Sequence, residues 1–175
     1  MKRIKPELLI LPVTAVLILV ADQVTKYLVA TQLEVGQSVD LIPWLAPVFS
    51  ITHVTNTGVA FGMFQGLGSL FVIAHVVAAV AIVVYSRRLP PGQWVLRLGL
   101  GLALGGAVGN LIDRVLHGYV VDFFDVNFWP LQDFPVWNVA DNSIVVGVAL
   151  LIGSLIWEEW QERRERPQQQ AAEGG

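Results

Sequence analysis

The chain has 175 residues, 54% of them hydrophobic and 14% charged, with a formal net charge of −3. Soluble globular domains carry about 45–50% apolar and about 25% charged residues, so this composition predicts an integral membrane protein with one small domain. The acidic balance excludes a nucleic-acid binder, which needs a basic face to neutralise phosphates. The absence of Cys excludes disulfides, thiol catalysis and cysteine-ligated metals together.

Four stretches are long and apolar enough to cross a bilayer: 8–29, 67–86, 95–116 and 137–157. The first follows Lys2, Arg3 and Lys5, as the apolar run of a secretory leader would. Its apolar character continues past an embedded DQVTK, and no small-x-small cleavage site follows, so it reads as a span. Arg87 and Arg88 separate the second and third spans, and Arg163, Arg164 and Arg166 follow the fourth. The connections 30–66 and 117–136 contain neither Lys nor Arg. The positive-inside rule then predicts both termini in the cytoplasm and both of these connections outside. Trp44, Trp94, Trp129, Trp137, Trp157 and Trp160 fall near the predicted interfaces, where amphipathic rings anchor well.

The first outer connection carries Val48, Ser50, Thr52 and Val54 in a β-branched run, followed by Asn-Thr-Gly, which predicts short strands and a turn. The second holds Phe123, Phe124, Phe128, Trp129 and Phe134 and leads into Trp137, predicting an aromatic loop on the membrane surface. The segment 167–175 reads as a disordered tail. The expected architecture is an all-α membrane protein of four transmembrane helices, with a small extracytoplasmic β-containing region and an aromatic-rich outer loop.

Ionisable residues inside spans are expensive and mark functional sites. In this topology Asp22 and Lys26 lie near the outer end of the first span, and Asn110, Asp113 and Arg114 near that of the third. Asn138, Asp141 and Asn142 lie at the outer end of the fourth, with Asn56 and Asp122 on the connections at the same level. Three spans and two loops thus bring polar groups to one depth, the outer leaflet boundary. Asp22 and Lys26 are spaced i, i+4, as an ion pair requires. Asn110 shares a helix face with Asp113 and Arg114, and Asn138 is placed to cap the fourth helix. Arg97, near a cytoplasmic end, can snorkel.

The segments DQVTK at 22–26, NTGVAF at 56–61, GNLIDR at 109–114, VVDF at 120–123 and WNVAD at 137–141 resemble, in order, the motif blocks of the lipoprotein signal peptidase (signal peptidase II) family. Trp137 stands where that family usually has Phe, and Asn142 where a small residue is common. The resemblance implies an aspartic protease of the bacterial inner membrane with Asp122 and Asp141 as its catalytic pair. It implies prolipoprotein substrates bearing a diacylglyceryl-modified cysteine, cut just before that cysteine near the outer leaflet, and membrane lipid as a further partner. Two close carboxylates cannot both ionise, so they share a proton. One activates water while the other polarises the carbonyl and protonates the leaving amine, a scheme that needs no metal, cofactor or covalent intermediate.

For the remaining polar residues two roles stand side by side. Asp22 and Lys26 read as an interfacial ion pair orienting the first helix, or as substrate contacts. Asp113 and Arg114 read as a structural network, with Arg114 also suited to holding a carboxylate or a substrate carbonyl. Asn56, Asn110 and Asn138 suit a peptide backbone as well as turns and caps. Asp125 and Asp133 read as solvated loop charges. His53, His75 and His117 are scattered without an HExxH, which disfavours a zinc protease, and His75 reads as a packed residue. GLGLALGG at 99–106 lies within a span, where small residues allow close helix packing. The rival functions are a small transporter or channel subunit that binds ions or protons, and a non-enzymatic lipid-binding or assembly factor. Clustering of the polar groups at one leaflet, without an inverted repeat, disfavours transport.

Overall fold

A computed structural model describes residues 6–58 and 68–173. Lys2, Arg3, Lys5 and the last three residues of the NTGVAF block lie outside the described residues. Four long helices carry the chain: α1 (Glu7–Gln32), α2 (Gly68–Ser86), α3 (Trp94–His117) and α4 (Val139–Glu173). All four are long and apolar enough to span a membrane, α4 over Val139–Gln161. The helical backbone of α4 runs on to Glu173, into the segment for which composition predicts disorder.

The third helix is the centre of the bundle and packs against the other three. Its small residues explain why. A Cβ at Gly105 would lie 2.7 Å from the carbonyl oxygen of Ala15 in α1. One at Gly106 would collide with the carbonyl oxygen of Ala140 in α4. The backbones therefore approach as only small residues permit, so that dispersion contacts can hold the bundle where lipid supplies no hydrophobic drive. The other helices turn large apolar side chains outward, including Leu17, Val77, Val145 and Leu155. Such surface suits hydrocarbon rather than water.

Three strands form an antiparallel sheet in the order β1 (Ser38–Val39), β2 (Phe49–Asn56) and β3 (Val120–Val126). The β-branched run at 48–54 does form a strand, with a short 3-10 turn at Pro43–Leu45 preceding it. Segment 120–126 departs from the expected surface loop. It pairs with β2, and Phe123 is buried with Val29, Ile51 and Val121 in a small core that joins the sheet to α1. Aromatic density in this segment thus serves a strand core first, while Phe128, Trp129 and Phe134 remain exposed.

Two local features aim this sheet. Gly118 adopts a left-handed φ of 80° at the end of α3, its N–H bonding the Arg114 carbonyl at 3.1 Å, and this reverses the chain directly into β3. A shift in register between Ile51 and Val54 re-phases β2, so that Val54 opposes Asp122 and Asn56 opposes Val120. By strand alternation those four residues share one face. The fourth helix starts at Val139 rather than at 137, because Trp137 is bridged to Phe124: its N–H donates to the Phe124 carbonyl at 3.1 Å. Ladder bonding holds Trp137 extended until Asn138 caps the helix that starts at Val139.

Candidate active site

Asn138 is fully buried and acts in two directions. Its Oδ1 accepts the N–H of Asp141 at 3.0 Å, and Asp141 Oδ2 accepts the N–H of Asn138 at 3.3 Å. This reciprocal pairing is a capping box, and it fixes Asp141 in the first turn of α4, where the helix dipole favours a carboxylate. The other end of the same amide, Nδ2, donates to Asp122 Oδ1 at 2.6 Å. One buried side chain therefore ties together the two aspartates that the sequence separates by a loop.

Each aspartate has a second amide donor. Asn56 Nδ2 donates to Asp122 Oδ2 at 2.8 Å, while Asn56 Oδ1 accepts the Gly58 N–H at 3.0 Å. Asn110 Nδ2 donates to Asp141 Oδ1 at 2.8 Å. Asp122 is 1% exposed. Burial, followed by the nearby Asp141 carboxylate, pushes its carboxyl up to about 7, against the opposing pull of the Asn56 and Asn138 donors. The pair is thus poised to hold one proton near neutrality.

Both aspartates open on a cavity of about 560 Å³. Asn56, Asn110 and Arg114 complete its polar end, and Phe71, Leu131, Phe134, Val136, Ile144 and Val145 supply apolar wall. Arg114 Nη2 donates to the Gly58 carbonyl at 2.7 Å, and its guanidinium lies 4.9 Å from the Phe71 ring centroid. Its Nε and Nη1 are buried and have no hydrogen-bond partner among the described residues. Arg114 bonds neither Asp113 nor a catalytic candidate directly. Its guanidinium lines the cavity and anchors the Gly58 backbone.

Asp22, Lys26 and Asp113 form a separate cluster beneath this site. Lys26 Nζ lies 2.8 Å from Asp22 Oδ2, 2.9 Å from Asp113 Oδ2 and 2.9 Å from Asn110 Oδ1. Its three donors thus have three acceptors. Asp22 Oδ1 accepts the Ala140 N–H at 2.9 Å, and Asp113 accepts the Val121 N–H at 3.2 Å and Gln23 Nε2 at 3.0 Å. The expected interfacial ion pair is instead a buried knot, which ties α1 and α3 to α4 and β3. None of its three ionic members lines the cavity. Asn110 joins the two systems, since its Oδ1 accepts from Lys26 and its Nδ2 serves Asp141.

The family model for signal peptidase (SPase) II matches residues 14–157. The chain belongs to the signal peptidase II family. It is 45% identical over 148 residues to the lipoprotein signal peptidase of Symbiobacterium thermophilum, covering 84% of this chain and 94% of the relative. It is 41% identical over 155 residues to that of Bacillus subtilis, covering 87% and 96%. A solved bacterial membrane enzyme structure, determined by the in meso method at 2.3 Å, superposes with a TM-score of 0.75 at 37% identity, covering 84% of this chain and 87% of that one. A second, at 1.9 Å, gives 0.71 at 38% identity, with 82% and 90% covered. The protein is a multi-pass membrane peptidase of the aspartic type. Membership in a peptidase family selects this reading over the transport-subunit and assembly-factor alternatives.

Sequence reasoning missed Phe71 as a cavity residue and misread His75. Asn142, which the sequence places at the outer end of the fourth span, lines the cavity with both of them, as do Leu131, Phe134, Pro135 and Val136 of the second outer connection. His75 is not packed away: Nδ1 engages the Phe71 carbonyl of its own helix at 2.6 Å, and the half-buried ring forms part of the wall. Asp125 is not merely solvated either, since it accepts the Thr52 hydroxyl at 2.6 Å across the sheet. His53 bonds the Leu33 carbonyl through Nδ1 at 2.9 Å and helps seat the sheet on α1. Asp133 is exposed, as expected of a loop charge.

Proposed function

We propose that this protein removes signal peptides from diacylglyceryl-modified bacterial prolipoproteins, cutting just before the lipidated cysteine, with Asp122 and Asp141 as the catalytic pair. The observation that carries the reading is that two carboxylates, neither of them salt-bridged among the described residues, share one buried amide and open together on an apolar-walled cavity. The ionised partner takes a proton from water as that water attacks the scissile carbonyl. The protonated partner gives its proton to the carbonyl oxygen; on collapse the partner that took the water proton passes it to the leaving amine, and the other recovers its proton from the gem-diol hydroxyl. The two roles exchange as the tetrahedral intermediate collapses, so the pair ends with the one proton it began with.

The surrounding residues divide the supporting work. Asn56, Asn110 and Asn138 hold the carboxylates by amide donors and keep their oxygens aimed. Arg114, at the polar end of the cavity, holds the Gly58 backbone and supplies a positive charge near a substrate carbonyl. Asp22, Lys26 and Asp113 support the site from below through Asn110 and the Ala140 and Val121 backbone. The enzyme lies in the cytoplasmic (inner) membrane with both termini inside, so that the sheet and the cavity face the outer leaflet. A signal peptide arrives there as a membrane helix, its lipidated cysteine at the same level.

Incubating the purified, lipid-reconstituted protein with a diacylglyceryl-modified prolipoprotein and, in parallel, with its unmodified form tests this directly. Release of a signal peptide from the modified form alone is expected. Equal cleavage of both forms, or of neither, would overturn the substrate assignment.

A further inference from the structure

Two cavity-lining residues outside the aspartate pair and its supporting amides prove to be partners. Trp137 Nε1 lies 2.9 Å from Asn142 Oδ1, and both residues line the cavity, Asn142 directly following Asp141. An indole N–H can only donate, so the Asn142 amide must turn its oxygen toward Trp137. That choice leaves the Nδ2 amino group on the opposite arm of the amide of this cavity-lining residue, and no hydrogen bond engages it among the described residues. The indole is itself held on three sides. Its ring lies 5.3 Å from Phe134 in a T-shaped contact and 6.0 Å from Phe124, and its backbone is bridged to Phe124. A rigid ring thus sets the orientation of an otherwise free, exposed side chain.

We propose that Asn142 is a specificity-determining residue whose Nδ2 donates a hydrogen bond to a substrate carbonyl beside the scissile bond, and that Trp137 is the positioning residue that aims it. This rests on the peptidase reading above. The ligand chemistry is a carbonyl oxygen, and a lipidated substrate offers two sources: the peptide backbone and the acyl esters of the glyceryl group. Nothing else is asked of the pair. The bond adds ground-state and transition-state binding alike, so it acts on KM rather than on kcat.

The test measures initial rates for wild type, Trp137→Phe, Asn142→Leu and the double variant in lipid, with thermal unfolding recorded for each. Trp137→Phe keeps the aromatic packing while deleting the donor, and Asn142→Leu is nearly isosteric. Each single variant is expected to raise KM about 3- to 10-fold, with kcat within about 2-fold, as loss of one hydrogen bond implies. The double variant should do no worse than the poorer single, because both remove the same interaction. A second arm uses a substrate whose lipid is ether-linked and so lacks ester carbonyls. A penalty for Asn142→Leu that persists there assigns the bond to the peptide; one that vanishes there assigns it to the ester, and either supports the proposal. Unchanged KM with lowered melting temperature would show a structural latch only and overturn it, as would penalties that multiply in the double variant. Wild type that leaves the lipidated substrate uncut overturns the peptidase reading along with this one.

Discussion

Two groups of aspartates lie on either side of Asn110, and they are compensated in opposite ways. Asp22 and Asp113 flank Lys26, whose three donors each meet an acceptor. Asp122 and Asp141 have only amide donors, no cation within salt-bridge distance among the described residues, and each other. The first group is electrically closed and faces protein on all sides. The second is left with like charges beside a cavity, so burial and mutual repulsion drive a proton onto it. Residue type therefore decides nothing by itself. A carboxylate becomes structural or reactive according to whether its charge is matched.

The sharpest way to break this contrast is to remove one carboxylate from each group. Asp122→Asn or Asp141→Asn should lower cleavage by about 10²- to 10⁴-fold, the usual worth of positioned acid–base catalysis, while the folded protein persists. Rates on lipidated substrate, set beside thermal unfolding, check it; near-normal turnover by either folded variant would refute the dyad.

Lys26→Met attacks the closed group and should act on stability instead. It leaves two buried carboxylates uncompensated, at a cost of about 3–5 kcal/mol, whereas neutralising all three with Asp22→Asn, Lys26→Met and Asp113→Asn together should cost less. Unfolding in detergent distinguishes the two outcomes, since a single variant no worse than the triple would mean that charge matching is not what the knot supplies. A smaller effect of the same kind is expected at Gly109. A Cβ there would meet the Asp22 carboxylate oxygen at 2.5 Å, so Gly109→Ala should force α1 and α3 apart and cost about 1–3 kcal/mol.

The most subtle discrimination is by pH. Asp122 carries a carboxyl raised to about 7 in the folded state, against 3.8 as its ordinary value. A raised value means that the folded protein binds the proton more tightly than the unfolded chain does. That contribution to stability is complete below about pH 4 and is lost as pH rises through about 7. Wild type should therefore lose stability relative to Asp122→Asn between those limits, and cleavage should decline above about pH 7 as the shared proton leaves. A flat stability difference across that range would show that Asp122 is not the strained member of the pair.

Much of this was legible in the residues because a bilayer is an unforgiving solvent. Span lengths follow from its thickness, and polar groups within spans stand out against their cost. The clustering of Asp22, Asn110, Asp113, Asn138 and Asp141 at one level could be read from helix direction alone. Segment 120–126 was harder. Its aromatic residues fit a surface loop as well as a strand, and only pairing with β2 chose between them. Trp137 read as the start of a span because it is apolar, yet its backbone bonds to Phe124 delay the helix to Val139. His75 carried no signal as a site residue, since a lone polar side chain becomes part of a site only when other elements enclose it.

The sequence by itself determined the membrane class, the four crossings and the residues able to do acid–base chemistry, because hydrophobicity and helical period are local properties. Tertiary structure alone decided which aspartates are paired with Lys26 and which are left with each other. Charge compensation depends on distances between α1, α3, β3 and α4, and those distances are set by glycine contacts, a left-handed turn at Gly118 and one buried amide at Asn138. No spacing along the chain encodes them.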